Sequence, residues 1–271
     1  MTTALAWIDS RWGPPEQLAL PLNDRGLQLA EGLFETVLLR RGVPVLLDQH
    51  LQRWRNGADV LGLAPPPDHQ QLVPLISEAV QRAQLAAGDG VLRLNWSRGS
   101  AGRGIDPAAS GNERFWLSLQ PIQPLFSAVS AVISQLERRN ATSALSRCKS
   151  FAYGQSLLAR REARRRGADD ALLLNTAGQL CCGTAANLLV RREGRWLTPG
   201  LSGGCLPGVM RSRCLATGLA QVGELGAMLR GGDQALLINS LSCRPIHRLD
   251  GVDLSPIGES SAEKLWEQLL E

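Results

Sequence analysis

Among 29 lysines and arginines in a chain of 271 residues, lysine occurs at Lys149 and Lys264 alone, so any chemistry that needs a primary amine has two candidates. Lys149 stands in Ser146-Arg147-Cys148-Lys149-Ser150, between an aliphatic stretch patterned like a strand and a stretch patterned like a helix. Junctions of that kind project a side chain into a cleft, and a partly desolvated amine beside cationic neighbours is a good nucleophile toward a carbonyl. Position alone does not separate it from a surface lysine; the residues around it carry the case. The other reactive types point elsewhere. His50, His69 and His247 are isolated, so neither a metal site nor a Ser-His-Asp arrangement is indicated. Cys148, Cys181, Cys182, Cys205, Cys214 and Cys243 form no C-x-x-C spacing and read as reduced thiols without a metal.

The elements that must position Lys149 can be read from periodicity. Leu33 to Leu39 follows glycine punctuation and predicts a strand entered through a tight turn. In 48–63, Leu51, Trp54, Ala58 and Leu61 recur at helical spacing, with Asp48 as the expected N-cap and Pro65-Pro66-Pro67 as the stop. Residues 68–86 predict a second helix, and 91–97 and 114–122 predict strands flanking a loop rich in Gly and Arg. After Pro121 and Pro124 a strand is expected over 128–136, then a helix over 150–166, a strand over 171–174 and a hairpin over 188–197 around Glu193-Gly194. A helix from Pro207 to about Gly223, a strand over 236–239 and a terminal helix from about Ser261 complete the chain. The expectation is an α+β protein of two domains, 1–120 and 121–271.

Composition narrows the function. Apolar residues at 44% and charged residues at 20% fit a globular chain able to bury a core. The net charge of +4 is spread along the chain and aromatics are 4%, too few for stacking platforms, so nucleic-acid binding is not expected. With no export-type start and no long apolar run, no membrane partner is expected either, and the location is expected to be cytoplasmic.

Five ordered stretches carry a family resemblance. They are Asp24-Arg25-Gly26-Leu27 with Glu31-Gly32-Leu33-Phe34-Glu35-Thr36; His50-Leu51-Gln52-Arg53; Lys149 with Leu158 to Ala163 and Gly167 to Leu174; Gly183-Thr184-Ala185-Ala186-Asn187-Leu188; and Leu206-Pro207-Gly208-Val209-Met210-Arg211. Together the chain resembles the fold-type IV, class IV aminotransferase-like enzymes that depend on pyridoxal 5'-phosphate. The resemblance implies a D-amino acid aminotransferase-like fold, with a smaller N-terminal α/β domain and a larger, β-rich C-terminal domain with helices. It implies a homodimer acting on a small-molecule substrate, with Lys149 as the cofactor-bearing lysine. It further implies that Arg53 and the backbone of Val209 and Met210 hold the cofactor phosphate, the latter because a helix N-terminus is a ready anion site. Ser240 is implied at the cofactor as well. The family usually places a glutamate against the pyridine nitrogen where this chain has Cys182, a poor partner for a pyridinium, which weakens the electron sink.

Two further stretches are similar to 4-amino-4-deoxychorismate lyases, which release 4-aminobenzoate and pyruvate and serve folate biosynthesis. Ser97-Arg98-Gly99-Ser100-Ala101-Gly102-Arg103-Gly104-Ile105 resembles their arginine- and glycine-rich loop, with Ile105 where an aromatic residue is usual, and Asn239-Ser240-Leu241 with Arg244-Pro245-Ile246 resembles another part. That resemblance implies Thr36 as a helper in proton transfer, and Arg98, Arg103 and Asn239 as substrate contacts, the arginines carried on flexible glycine hinges. The alternatives are an aminotransferase for D-amino or branched-chain amino acids, and a cofactor-binding or arginine-rich interaction protein without turnover.

Overall fold

The computed structural model describes residues 4–102, 104–106 and 111–271. The protein is α+β, and its chain divides into two compact units: Met1–Gln123 with Cys148–Ala152, and Pro124–Arg147 with Tyr153–Glu271.

In the first unit the elements run β1 (Leu5–Ile8), β2 (Arg11–Gly13), α1 (Arg25–Leu29), β3 (Gly32–Arg40), β4 (Val43–Pro44), α2 (Leu47–Leu61), α3 (His69–Arg82), β5 (Gly90–Ser97) and β6 (Arg114–Pro121). The strands form a six-stranded sheet in the order β2-β1-β6-β5-β3-β4. Alternation along β3 sorts its two faces. Leu33, Val37 and Leu39 enter a core with Leu51, Trp54 and Ala58 of α2 and Leu72, Ile76 and Ala79 of α3. Burying each of the larger of these side chains stabilises the fold by about 1.5–3 kcal/mol. Asp48 is not the cap of α2. Leu46, in the left-handed region at φ 53°, precedes the helix, so Asp48 falls within the first turn. There its carboxylate meets the His69 ring at 2.7 Å. For α3 the cap is Asp68, in a reciprocal capping box with Gln71.

The segment around Lys149 behaves as an extra edge of this sheet. Phe34 N–H donates to the Lys149 carbonyl at 2.9 Å, Phe151 N–H donates to the Gly32 carbonyl at 3.0 Å, and Ser150 bridges Leu33. The helix expected from residue 150 therefore begins at Gly154, because 149–151 are extended along β3. For the same reason the division differs from a single cut after residue 120: Lys149 groups with the first unit.

The second unit runs β7 (Val129–Arg139), α4 (Gly154–Arg165), β8 (Asp170–Asn175), β9 (Leu180–Gly183), β10 (Asn187–Arg192), β11 (Arg195–Thr198), α5 (Val209–Ala216), β12 (Ala220–Val222), β13 (Gln234–Asn239), β14 (Ser242–Leu249), β15 (Val252–Asp253) and α6 (Glu259–Gln268). Its nine-stranded sheet has the order β12-β11-β10-β13-β14-β7-β8-β9, with β15 beside β14. Because β9 also pairs with β10 through Cys182 and Asn187, the path from β10 around to β9 closes on itself. The β10–β11 hairpin turns at Glu193 (φ 51°) and Gly194 (φ 80°), the two positive angles that a tight hairpin requires. The helix expected to reach Gly223 stops at Ala216, since Gly218 takes φ 71° and the chain then extends into β12 against β11. Among the described residues no helix is long and apolar enough to cross a membrane.

Candidate active site

On the face of the first unit's sheet turned away from α2 and α3, register places Lys149, Phe34, Asn95 and Trp116 in one cross-strand row. Thr36 and Arg93 face each other in the neighbouring row. The Lys149 Nζ lies 4.3 Å from the centroid of the Phe34 ring and the Arg93 guanidinium carbon lies 3.6 Å from it, so two cations share one aromatic side chain. Arg93 Nε also donates to Asn95 Oδ1 at 2.8 Å. Phe151 packs 6.4 Å from Phe34 and 5.6 Å from Trp116 between ring centroids. This packing needs glycine at residue 32, where a Cβ would stand 2.2 Å from Phe151 Cε2.

The opposite side of β3 carries a second cluster. Glu35, fully buried, accepts from Arg53 Nε at 2.8 Å and Nη2 at 2.5 Å, and its second oxygen meets His50 Nδ1 at 2.7 Å. Burial alone would raise the Glu35 carboxyl, but the Arg53 charge, its hydrogen bonds and that of His50 overcome it and hold the pKa at about 2. The His50 pKa is lowered as well, but here burial is the cause, with the charges of Arg53 and Lys149 adding to it and Glu35 opposing it. Nδ1–H of a neutral His50 therefore donates to an ionised Glu35.

Arg98, expected on a flexible loop, is placed differently. Arg98 is 4% exposed, and its guanidinium donates to Glu31 at 2.9 Å and to the Leu61 carbonyl at 3.1 Å, with Glu113 at 3.7 Å. It is buried and held in place, not carried on a free hinge, because the carboxylates of Glu31 and Glu113 both flank it. Arg103 lies outside the described residues. Arg25 donates to the Gly104 carbonyl at 2.9 Å and pairs with Glu31, so Gly104 is tied to α1.

In the second unit, Gly208 is the N-cap residue of α5, and Val209 and Met210 open the helix with buried side chains. The first intrahelical bond is donated by Ser212 N–H, which leaves the preceding N–H groups outside the helix's own ladder. Asn187 Nδ2 donates to the Leu206 carbonyl at 2.9 Å, and a Cβ on Gly208 would stand 1.9 Å from Asn187 Oδ1. Glycine at 208 thus lets the side chain of β10 sit directly against the helix entrance. Cys182, opposite Asn187 in register, lies in an apolar cluster with Cys181 and Cys205. All six cysteines are buried thiols. Beside them Asp170 accepts from Thr184 Oγ1 at 2.6 Å and Arg160 Nη2 at 2.7 Å, which fixes the turn after β9. Asn239 supports the β13–β14 turn that contains Ser240: its Oδ1 accepts from Leu241 N–H at 2.8 Å and Ser242 Oγ at 3.1 Å, and its Nδ2 donates to the Ala185 carbonyl at 3.2 Å.

Sequence reasoning missed Arg93 and the Glu35–His50 pair. The alternation of β5, with Leu92 and Leu94 in the core, was the available signal that Arg93 faces the other way.

A family model described as amino-transferase class IV matches residues 32–249. The aminodeoxychorismate lyase of Bacillus subtilis is 24% identical over 269 residues, 95% of this chain and 91% of that one. A Methanocaldococcus jannaschii protein provisionally named a branched-chain-amino-acid aminotransferase is 27% identical over 207 residues, 76% of this chain and 71% of that one. Among solved structures, a hypothetical aminotransferase from Mycobacterium tuberculosis in its PLP-bound form superposes with a TM-score of 0.84 at 22% identity, covering 99% of both chains.

Proposed function

Because the chain belongs to the class IV amino-transferase family, we propose that it is a pyridoxal-phosphate-dependent carbon–oxygen lyase converting 4-amino-4-deoxychorismate to 4-aminobenzoate and pyruvate. The observation that carries this reading is the pair of cations on one sheet face, Lys149 and Arg93 about the Phe34 ring. A substrate with two carboxylates calls for a fixed cation beside the lysine, and Arg93 supplies one with the planar donor geometry that carboxylates favour. The likeness to the Bacillus subtilis lyase over 95% of this chain supports the same branch.

The residues fit the cofactor. Lys149 provides the amine, and Gly208, held free of a Cβ against Asn187, opens a helix whose first N–H groups lie outside its own ladder and suit a phosphate. Val209 and Met210 would hold that phosphate through the backbone, and Arg53 through charge; Cys182 and Ser240 would stand at the rest of the ring. When bound, pyridoxal phosphate supplies an electron sink for the carbon that bears the substrate nitrogen. Lys149 Nζ takes the proton from that ring carbon, and the Thr36 hydroxyl, on the same face of β3, assists its transfer. The enolpyruvyl oxygen departs, pyruvate forms once its methylene carbon is protonated, and the six-membered ring becomes aromatic. Aromatisation drives the step, so the thiol of Cys182 suffices where a transaminating enzyme would need a carboxylate. Two copies of the chain form the proposed assembly.

The test follows both products after cofactor-loaded protein meets aminodeoxychorismate generated in situ. Equimolar pyruvate and 4-aminobenzoate are expected, with a fall of about 10²–10⁴-fold in Lys149→Ala. No release from protein whose cofactor is demonstrably bound would overturn the lyase reading. An aminotransferase is the second reading, favoured by the likeness to the Methanocaldococcus jannaschii relative. It predicts that an added amino acid releases its keto acid while aminodeoxychorismate is left intact.

A further inference from the structure

The cluster on the side of β3 opposite Phe34 joins a carboxylate, an imidazole and a guanidinium where the carboxylate is 0% and the histidine 1% exposed. Ionic groups taken out of water in this way contribute little net stability compared with apolar residues of the same volume. What such a cluster does provide is direction. Glu35 lies one residue after Phe34, whose ring meets the lysine, and points to the other side of the strand. His50 and Arg53 are one turn apart on α2, and Trp54, next to Arg53, is sealed in the core at 1% exposure.

Arg53 meets Glu35 through Nε and Nη2, the side-on edge of the guanidinium. Two roughly parallel bonds to one carboxylate leave a planar group a single orientation, in which Nη1 is turned away from that carboxylate. Glu35 in turn cannot rotate to follow Arg53, because the oxygen that receives Nη2 also receives the ring N–H of His50. The imidazole is itself held on the inward face of α2, where Leu47, Leu51 and Trp54 are buried with it.

We propose that Glu35, locked by His50, is a positioning residue that sets the direction in which Arg53 is presented to the phosphate of the cofactor. The inference rests on the reading of Arg53 as a phosphate contact and adds what fixes its aim.

The experiment compares binding of pyridoxal phosphate and of phosphate-free pyridoxal to the apoprotein, read by absorbance and by quenching of tryptophan fluorescence. In Glu35→Gln the dissociation constant for pyridoxal phosphate should rise at least about tenfold while that for pyridoxal changes less than about threefold. Equal loss for both ligands, or loss for neither, overturns the proposal, since a merely structural role does not distinguish a ligand with a phosphate from one without. Glu35→Asp keeps the charge but withdraws it by one methylene, and it should show the same selective loss at smaller size; it decides the matter if the glutamine variant does not fold. Failure of both to fold would assign the cluster to the core and overturn the proposal. Arg53→Gln separates this from the underlying reading. If it erases the preference for the phosphorylated ligand while the Glu35 variants do not, the positioning role alone falls. If Arg53→Gln leaves the preference intact, the phosphate reading falls and takes the positioning role with it.

Discussion

A neutral, buried His50 makes the protein sensitive to acid in a window that can be worked out. Its folded pKa lies below the ordinary 6.5, so below pH 6.5 the unfolded chain binds a proton that the folded chain refuses, and stability falls as pH falls until the folded pKa is reached. Glu35 acts with the same sign lower down. Its folded pKa of about 2 lies below the ordinary 4.5, so its contribution is complete above 4.5 and is lost as pH falls through about 2. In His50→Gln an amide still donates to Glu35 but no proton titrates. The decline of stability between pH 6.5 and 5, measured by denaturant unfolding, should therefore be shallower in the variant by up to about 1.4 kcal/mol per pH unit. Parallel declines would show that His50 is not held neutral. Single residues were legible where rarity helped: Lys149 is one of two lysines. They were illegible where meaning depends on partners far along the chain. Arg98 looks like a mobile basic residue until Glu31, 67 residues before it, is seen to hold it.

Elements were read well where one local rule governs them. The spacing of Leu51, Trp54 and Ala58 announces α2, and the adjacent Glu193 and Gly194 announce the hairpin, because each rule acts within a few residues. The start of α4 was misplaced because the competing interaction, extension of 149–151 along β3, lies more than a hundred residues away. The short strand β9 escaped notice for the same reason, since its neighbours β8 and β10 define it. At α5, sequence marked a helix opening at Pro207 without revealing Asn187 beside Gly208. Gly208→Ala must push Asn187 off the Leu206 carbonyl and should destabilise the protein by about 1–3 kcal/mol. Gly231→Ala, where a Cβ meets nothing within 4 Å, is the control and should stay within about 0.5 kcal/mol. Chemical denaturation of both variants checks this, and equal effects would deny the close approach.

For the molecule as a whole, the α+β class and the smaller N-terminal and larger β-rich C-terminal parts were visible in the order of the patterns, but the return of five residues to the first unit was not. The return has an observable signature. Phe34 N–H is bonded to the Lys149 carbonyl, and the Phe151 ring over Gly32 secures that pairing. Phe151→Ala should therefore speed hydrogen exchange at Phe34 by roughly tenfold or more while Leu172, in β8 of the second unit, keeps its protection. Slowed or unchanged exchange at Phe34, or a loss at Leu172 instead, would contradict the partition. The same return bears on how the protein is made. When Gln123 has left the ribosome, the edge of β3 at Gly32 to Phe34 still awaits its partner, and the gap to Ala152 is filled at about 5–20 residues per second, leaving that edge bare for roughly 1.5–6 seconds. During synthesis, then, the interval before the Lys149 segment arrives is also an interval in which nascent chains are open to mispairing along that edge, and a chaperone would be useful there.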